Sequence, residues 1–271
     1  MNINLVQWNI SYNCKSDKII NLLKEKLEGD SVICLQEVLQ SNKEKIVKAL
    51  HQTDYAFSLN IRRPGRFDGK NRKLGLLTMS FGGKITEFHL IERSLFPERT
   101  LFTSIKFGGE EIHILSFHSL TGVGYKRGKS SQFASIAEYL YDNKVDFFCC
   151  DANEPSNDSF EISELEFWDN GDKGKYPSLL FGEEKVHRLE DSLYSVKDRL
   201  TELPISHRTG KTLRRYDFIY KSRDWKVEKL EYDYDGGVEA TSDHALVIGN
   251  YMAVNSETCF QGKLLSANVF R

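Results

Sequence analysis

Residues 3–9, Ile-Asn-Leu-Val-Gln-Trp-Asn, alternate and then crowd apolar side chains in a way that predicts a strand. A helical stripe follows over 16–28 through Ile19, Ile20, Leu22, Leu23 and Leu27, with Ser16 as its expected cap. Ser31–Gln36 is a short apolar run, and Lys43–His51 repeats the helical spacing through Ile46, Val47 and Leu50. A strand over Tyr55–Ile61 leads into a charged, glycine-bearing loop, Arg62–Lys73. Strand-like segments at 74–80, 84–92, 100–107 and 111–118 then succeed one another, with Gly82-Gly83 and Gly108-Gly109 expected as hairpin turns. Residues 130–142 read as a helix and Val145–Asp151 as a buried strand. The stretch 154–212 is irregular, and strands resume at 215–221, 225–232 and 245–251.

This order, β-α-β-α followed by antiparallel pairs and then a looser repeat, fits neither a doubly wound sheet nor an all-β sandwich. It fits an α/β (α+β) arrangement of two mixed sheets face to face with helices outside. No linker or low-complexity run divides the chain. We therefore expect one catalytic domain over 1–251 and a tail, 252–271, to which the pattern assigns no role.

Composition changes this picture little. An apolar fraction of 40% and a charged fraction of 28% are those of an ordinary globular enzyme, and the net charge is −2. Five cysteines, two of them adjacent at 149 and 150 and none in a Cys-x-x-Cys pair, argue against a disulfide framework or a structural zinc site. The first ten residues lack the charge and apolar run of a signal peptide, and no stretch reaches the roughly 18 apolar residues of a membrane span. A cytoplasmic location is expected.

Polar residues recur where predicted strands end. Asn9 ends the first strand and Glu37 follows the second; His118 closes 113–118, and Asp151 and Asn153 close 145–151. Asp217 lies in Arg215–Tyr220, and Ser242-Asp243-His244 opens the last strand. A lone Asn at a strand end is usually a turn former, a lone Glu a solvated charge, a lone His a satisfied core or surface group. The recurrence at one strand end after another is what points to a cleft. Carboxylates at 37, 151 and 243 with an amide from Asn9 or Asn153 form an oxygen donor set suited to Mg²⁺ or Mn²⁺. Asp151 and Asn153, two residues apart, would point the same way from extended backbone. A histidine beside a carboxylate supplies a general base, and phosphoryl transfer needs such a base together with a metal and hydrogen-bond donors.

With these pieces in order, the sequence resembles the endonuclease/exonuclease/phosphatase superfamily, typified by pancreatic-type DNase and abasic-site endonucleases. The resemblance runs from residue 3 to about 250. It is carried by Val6–Asn9, Leu35–Val38, Leu74–Thr78, Leu115–Ser119, Cys150–Pro155, Arg215–Ile219 and Ser242–His244. It implies a four-layered αββα sandwich, DNase-I-like, with the site between the sheets. It implies Glu37 as the main metal ligand with Asn9 and Asp243 near metal or phosphate, and Asp151 and Asn153 as the pair that positions water and phosphate. It implies His244 as general base with Asp217 orienting it, His118 acting at the phosphate, and Arg99 as a phosphate contact. Two positions depart from the family pattern. Cys150 stands where a glycine is usual, and no acid to pair with His118 can be placed in Asn60–Lys73.

Substrate class is argued from charge. Arg62, Arg63, Arg66, Lys70, Arg72 and Lys73 oppose one acid, Asp68; Lys126, Arg127 and Lys129 follow His118; Arg208, Lys211, Arg214 and Arg215 precede Asp217. These loops adjoin the candidate motifs, so a polyanion, and hence a nucleic acid contacted by Arg62, Arg63 and Arg66, is the expected partner. The sequence leaves open three readings: a nuclease acting on DNA or RNA, a phosphatase or phospholipase acting on inositol phosphates or lipid headgroups, and a catalytically silent binding module. A lipid-active protein would want an exposed apolar hairpin, for which Leu95-Phe96-Pro97 is the candidate.

Overall fold

The computed structural model describes residues 1–63, 69–123, 126–168 and 175–254. The chain opens with β1 (Asn2–Asn9), α1 (Ser16–Lys26), β2 (Ser31–Val38), α2 (Gln40–Ala49), β3 (Tyr55–Phe57) and a helical turn, α3 (Ser58–Ile61). It continues through β4 (Gly75–Phe81), β5 (Lys84–His89), β6 (Thr100–Phe107), β7 (Glu110–His118), α4 (Lys126–Asp142) and β8 (Phe147–Asp151). Then come α5 (Lys175–Phe181), β9 (Glu190–Asp191), β10 (His207–Thr209) and β11 (Thr212–Arg214). The last elements are β12 (Asp217–Lys221), β13 (Trp225–Asp233), α6 (Tyr234–Glu239) and β14 (Leu246–Ala253).

Two six-stranded sheets result, in the orders β13-β14-β1-β2-β4-β3 and β5-β6-β7-β8-β12-β9. Each contains a parallel pair joined by a helix: β1–β2 through α1, and β7–β8 through α4. Period-two alternation sends successive side chains to opposite faces. Leu5, Val32 and Val247 of the first sheet therefore meet Ile114, Phe147 and Ile219 of the second. The ring of Phe147 lies 4.8 Å from Tyr251 and 4.9 Å from Trp225 between the sheets. On the outer faces, Val6, Trp8 and Leu35 pack on Ile19, Leu23 and Ile46 of α1 and α2, while Phe117 and Phe148 pack on Phe133 and Leu140 of α4 and on Phe181 of α5. With both faces covered, the central strands read as nearly continuous apolar runs. The four layers are those the sequence predicts.

Several local expectations differ. Gly82-Gly83 makes no hairpin, because β4 and β5 lie in different sheets; Gly82, at φ 84° against Asp30, turns the chain from one sheet to the other. Gly108-Gly109 does close a hairpin, with Phe107 opposite Glu110. The strand expected over Tyr55–Ile61 stops at Phe57. There the Ser58 hydroxyl accepts the Leu76 N–H at 2.8 Å and donates to the Glu98 carbonyl at 2.7 Å, replacing ladder bonds. Ser16 is the first helical residue rather than a cap, and its hydroxyl donates to Asn42. The glycines at 236 and 237 hid α6, whose N-terminus Asp233 caps by accepting the Gly236 N–H.

The register sets the site. His118, Asp151 and Asp217 face one another across β7, β8 and β12. Asn9 pairs with Gln36 at the same end of the first sheet. Beyond Leu35 the pairing of β2 with β4 shifts, and Glu37 takes a left-handed φ of 58°, which turns its side chain out of the ladder. Gln7, fully buried on β1, bridges the sheets: its amide nitrogen donates to the Cys150 carbonyl at 3.0 Å and to Asp217 Oδ1 at 2.8 Å. Gln7→Leu should lower stability by roughly 1–3 kcal/mol, because it strips a donor from a buried carboxylate. Urea unfolding measures this, and an unchanged midpoint would show that the bridge is dispensable.

Candidate active site

Asn9, Glu37, His118, Asp151, Asn153, Asp243 and His244 all line one cavity of about 560 Å³ at the end of the sandwich where β1, β2, β7 and β8 finish. Of the sequence-predicted residues these seven converge, while Asp217 and Arg99 stand one layer back and neither Arg62 nor Arg63 reaches the lining. Asp217 is fully buried behind His244, its Oδ2 2.7 Å from Nδ1. Arg99 is buried behind His118, donating from Nη1 to His118 Nδ1 at 3.1 Å and to the Ser119 carbonyl at 3.2 Å. Arg99 therefore does not line the cavity as a phosphate contact would; in this structure it orients a histidine.

That arrangement fixes the two imidazoles differently. Since Arg99 is always a donor, His118 Nδ1 must accept, and the proton sits on Nε2. Nε2 faces the cavity, 3.5 Å from Asp151 Oδ2 and 3.7 Å from Glu37 Oε1. Burial, then the charges of Arg99 and His244, hold the His118 pKa well below its ordinary value, so the ring is a neutral donor. The sequence places no acid partner for His118 in Asn60–Lys73, and the group on its Nδ1 is a cation, Arg99. His244 is the opposite case. Burial disfavours its charge, but the carboxylates of Asp217 and Asp151 outweigh burial and raise its pKa to about 10. Its backbone is fixed as well, with the N–H on Ser242 Oγ at 3.0 Å and the carbonyl accepting from Trp8 Nε1 at 3.2 Å.

Asp151 Oδ2 accepts the Asn9 amide at 2.8 Å and Oδ1 the Asn153 N–H at 3.0 Å. The chain leaves extended geometry here, for Asn153 has φ 48°. Its proximity to Asp151 thus comes from an Asx-type turn rather than from strand alternation. Burial raises the Asp151 pKa to about 6. Lys129, itself buried, reaches the turn from α4, donating to the Asn153 carbonyl at 2.8 Å and to Oε1 of buried Glu154 at 2.7 Å.

His207 is a cavity residue that the sequence reading missed. It forms an isolated β-bridge with His244, ring centroids 4.4 Å apart, and its Nε2 lies 3.9 Å from Asp243 Oδ2. That imidazole holds the Asp243 carboxyl down to about 2. No strand-end pattern marks His207, because it sits on the β10–β11 hairpin, outside both sheets. Trp168, Thr209 and Tyr216, also unremarked, complete the wall.

The donor set suits a divalent cation. Glu37, Asp151 and Asp243 face the cavity, and among the described residues lining it the one ammonium, Lys129, is already committed to Glu154. Two triplets of potential ligand atoms lie within 4.8 Å of one another, His207/Asp243/His244 and Asp151/Asp217/His244. The second is knit by the direct His244–Asp217 bond, so its closeness reflects a hydrogen-bonded dyad. Glu37, whose Oε2 accepts the Tyr12 N–H at 3.0 Å, keeps Oε1 toward the cavity.

The basic rim is thinner than the sequence suggests. Partly buried Arg72 pairs with buried Glu98, and the buried cations Lys129 and Arg215 pair with Glu154 and with Asp158 and Asp191. Arg63 is exposed with Glu92 3.4 Å away, and neither Arg62 nor Arg63 lines the cavity. Arg66 lies outside the described residues. Leu95 is exposed, but Arg99 and Thr100 turn inward directly after Pro97, so the apolar tip is short. No described helix is long and apolar enough to cross a membrane.

Neither a family model nor any curated protein matches the chain by sequence. Solved structures match it closely in shape. An endonuclease/exonuclease/phosphatase protein of Bacteroides vulgatus aligns over 94% of this chain and 100% of its own, with a TM-score of 0.65 at 13% identity. This chain shares the fold of that endonuclease/exonuclease/phosphatase protein. TDP2 of D. rerio, solved with a single-strand DNA product, aligns over 93% of this chain and 99% of its own (TM-score 0.63, 13% identity). ANGEL2, described as a 2′,3′-cyclic phosphatase, aligns over 93% and 95% (TM-score 0.62, 14% identity). In the endonuclease/exonuclease/phosphatase fold of this chain, the seven sequence pieces sit around the cleft between the two sheets or in the strands leading to it.

A titration tests the dyad. His244, at about 10 against 6.5 for an ordinary histidine, contributes stability that is complete below about pH 6.5 and is lost as pH rises toward 10. Asp217→Asn should lower the His244 pKa in metal-free protein, read by imidazole NMR, and flatten the decline in urea stability between pH 6.5 and 10. Parallel stability profiles for the two proteins would contradict the pairing.

Proposed function

We propose that this chain is a divalent-metal-dependent hydrolase of phosphodiester bonds in nucleic acid. The observation that carries the reading is the Gln7–Asp217–His244 relay opening on a cavity of carboxylates, with His118 as a fixed neutral donor on the facing sheet. Glu37, Asn9 and Asp243 are the residues that would hold Mg²⁺ or Mn²⁺; the ion would neutralise phosphate oxygens and polarise the attacking water. His244 presents Nε2 to the cavity while Asp217 binds Nδ1, so a proton taken from water has a defined destination. Of the carboxylates that raise the His244 pKa, Asp151 and Asp243 face the cavity, so a cation held there would offset their part of the pull and lower the proton affinity of Nε2, while Asp217 keeps its bond to Nδ1. Asp151 and the Asn153 amide orient water and phosphate, and His118 Nε2–H donates to a phosphate oxygen.

The nucleic-acid substrate is supported by TDP2, a match in fold that was solved with a single-strand DNA product, and by exposed basic residues Arg208 and Lys211 on the hairpin that walls the cavity. Arg62 and Arg63 would bind flanking phosphates beyond the cavity. ANGEL2, described as a phosphatase, marks the competing reading, a small phosphoester substrate.

Labelled single- and double-stranded DNA, RNA and soluble phosphomonoesters should be assayed with Mg²⁺, Mn²⁺ and EDTA. Oligonucleotide cleavage should vanish in EDTA and in Glu37→Gln. His244→Ala should lower kcat by roughly 10²–10⁴-fold. Combined with Asp217→Asn it should be little worse than the worse single variant, since the two act as a unit. Indifference to oligonucleotides with ready turnover of a monoester would replace the nuclease reading by a phosphatase.

A further inference from the structure

We propose that Trp168, flanked by Arg214, forms a stacking platform in the cavity wall for an unpaired nucleobase next to the scissile phosphate, which makes single-stranded nucleic acid the preferred substrate. This deepens the nucleic-acid reading above and rests on it.

Hydrolysis of a phosphodiester needs carboxylates, imidazoles and donors; it does not need an indole. Yet Trp168 lines the same cavity as Glu37, Asp151 and His244 while remaining 39% exposed. Its backbone is tied to the reacting centre. The Trp168 N–H donates to Oε2 of fully buried Glu154 at 2.9 Å, and Glu154 Oε1 takes Lys129, which also holds the Asn153 carbonyl. The indole is thus anchored through Glu154 to the turn that carries Asp151 and Asn153. The Arg214 guanidinium carbon lies 5.3 Å from the Trp168 ring centroid. It comes from the hairpin whose other strand supplies His207 and Thr209 to the wall.

A planar aromatic surface beside a guanidinium, in a cavity whose hairpin wall carries exposed cations, suits a flat heterocycle joined to a phosphate. A nucleobase is that group, since aromatic rings and arginine planes both stack bases. A lipid chain would leave the guanidinium unmatched. Paired bases keep their faces inside the duplex and cannot lie on an indole in a cavity wall, so the preference falls on single strands.

Fluorescence isolates the residue. Of the three tryptophans, Trp8 and Trp225 are 0% and 4% exposed, so quenching by a bound base reports Trp168. Wild-type protein in EDTA should show quenching by a single-stranded oligonucleotide, and less by one carrying an abasic residue beside the target phosphate. With metal, the abasic substrate should raise KM roughly 5- to 150-fold, the usual worth of one stacked base. Trp168→Ala should raise KM for the normal strand comparably and become insensitive to the abasic change, with Trp168→Phe intermediate. If oligonucleotides are cleaved but the abasic change and Trp168→Ala leave KM unmoved, the platform is refuted while the nuclease reading stands. If no oligonucleotide is bound or cleaved, both fall. The abasic comparison uses wild-type protein, so it decides the matter even if a Trp168 variant fails to fold.

Discussion

A single buried carboxylate, Asp217, carries the architecture and the chemistry together. An isolated charge at its depth would be prohibitively costly, so it must be paired and hydrogen-bonded. One oxygen takes the amide of Gln7 from the opposite sheet and the other takes His244, two residues before β14 of that same opposite sheet. The group that needs neutralising thereby ties the two sheets at their functional end. The apolar layer between them, built on Phe147, Tyr251 and Val247, supplies the bulk of the adhesion but no such fixed alignment.

The facing sheet is organised by a second buried charge of opposite sign. Arg99 lies behind His118 as Asp217 lies behind His244. The two imidazoles look into one cavity, yet their partners give them opposite character, one a neutral donor and the other a proton-holding group. Two identical side chains can take different parts in one site because each is read by what stands behind it.

How much of this was legible in the sequence depended on whether a residue lay on a regular element. Asn9, Glu37, His118 and Asp151 lie where strands with strong apolar patterns end and His244 just before one, so their recurrence pointed to a common cleft, which the family resemblance put between the sheets. The layers were legible for the same reason. Gln7 was not, since a polar residue inside an apolar strand carries no sign of what it meets across the sandwich. Arg72, Lys129 and Arg215 looked like surface charge because their acidic partners are 26, 25 and 57 or 24 residues distant in sequence. His207 and Trp168 lie in the irregular stretch, where neither period nor turn chemistry gives a direction. The crossing at Gly82-Gly83 looked like a hairpin because a turn's residues do not say which sheet receives the next strand.

The hairpin β10–β11 belongs to neither sheet and is tied to the sandwich through side chains at its base: His207 meets His244, Asp243 and Tyr216, Thr209 bonds Tyr216, and Ser206 bonds the start of β12. The groups argued to do chemistry grow from the sandwich, whereas much of the wall that a substrate would meet grows from this hairpin and from Trp168. Machinery and doorway are therefore separate parts of the chain. Lineages that exchanged the doorway could change their diet while inheriting the machinery intact.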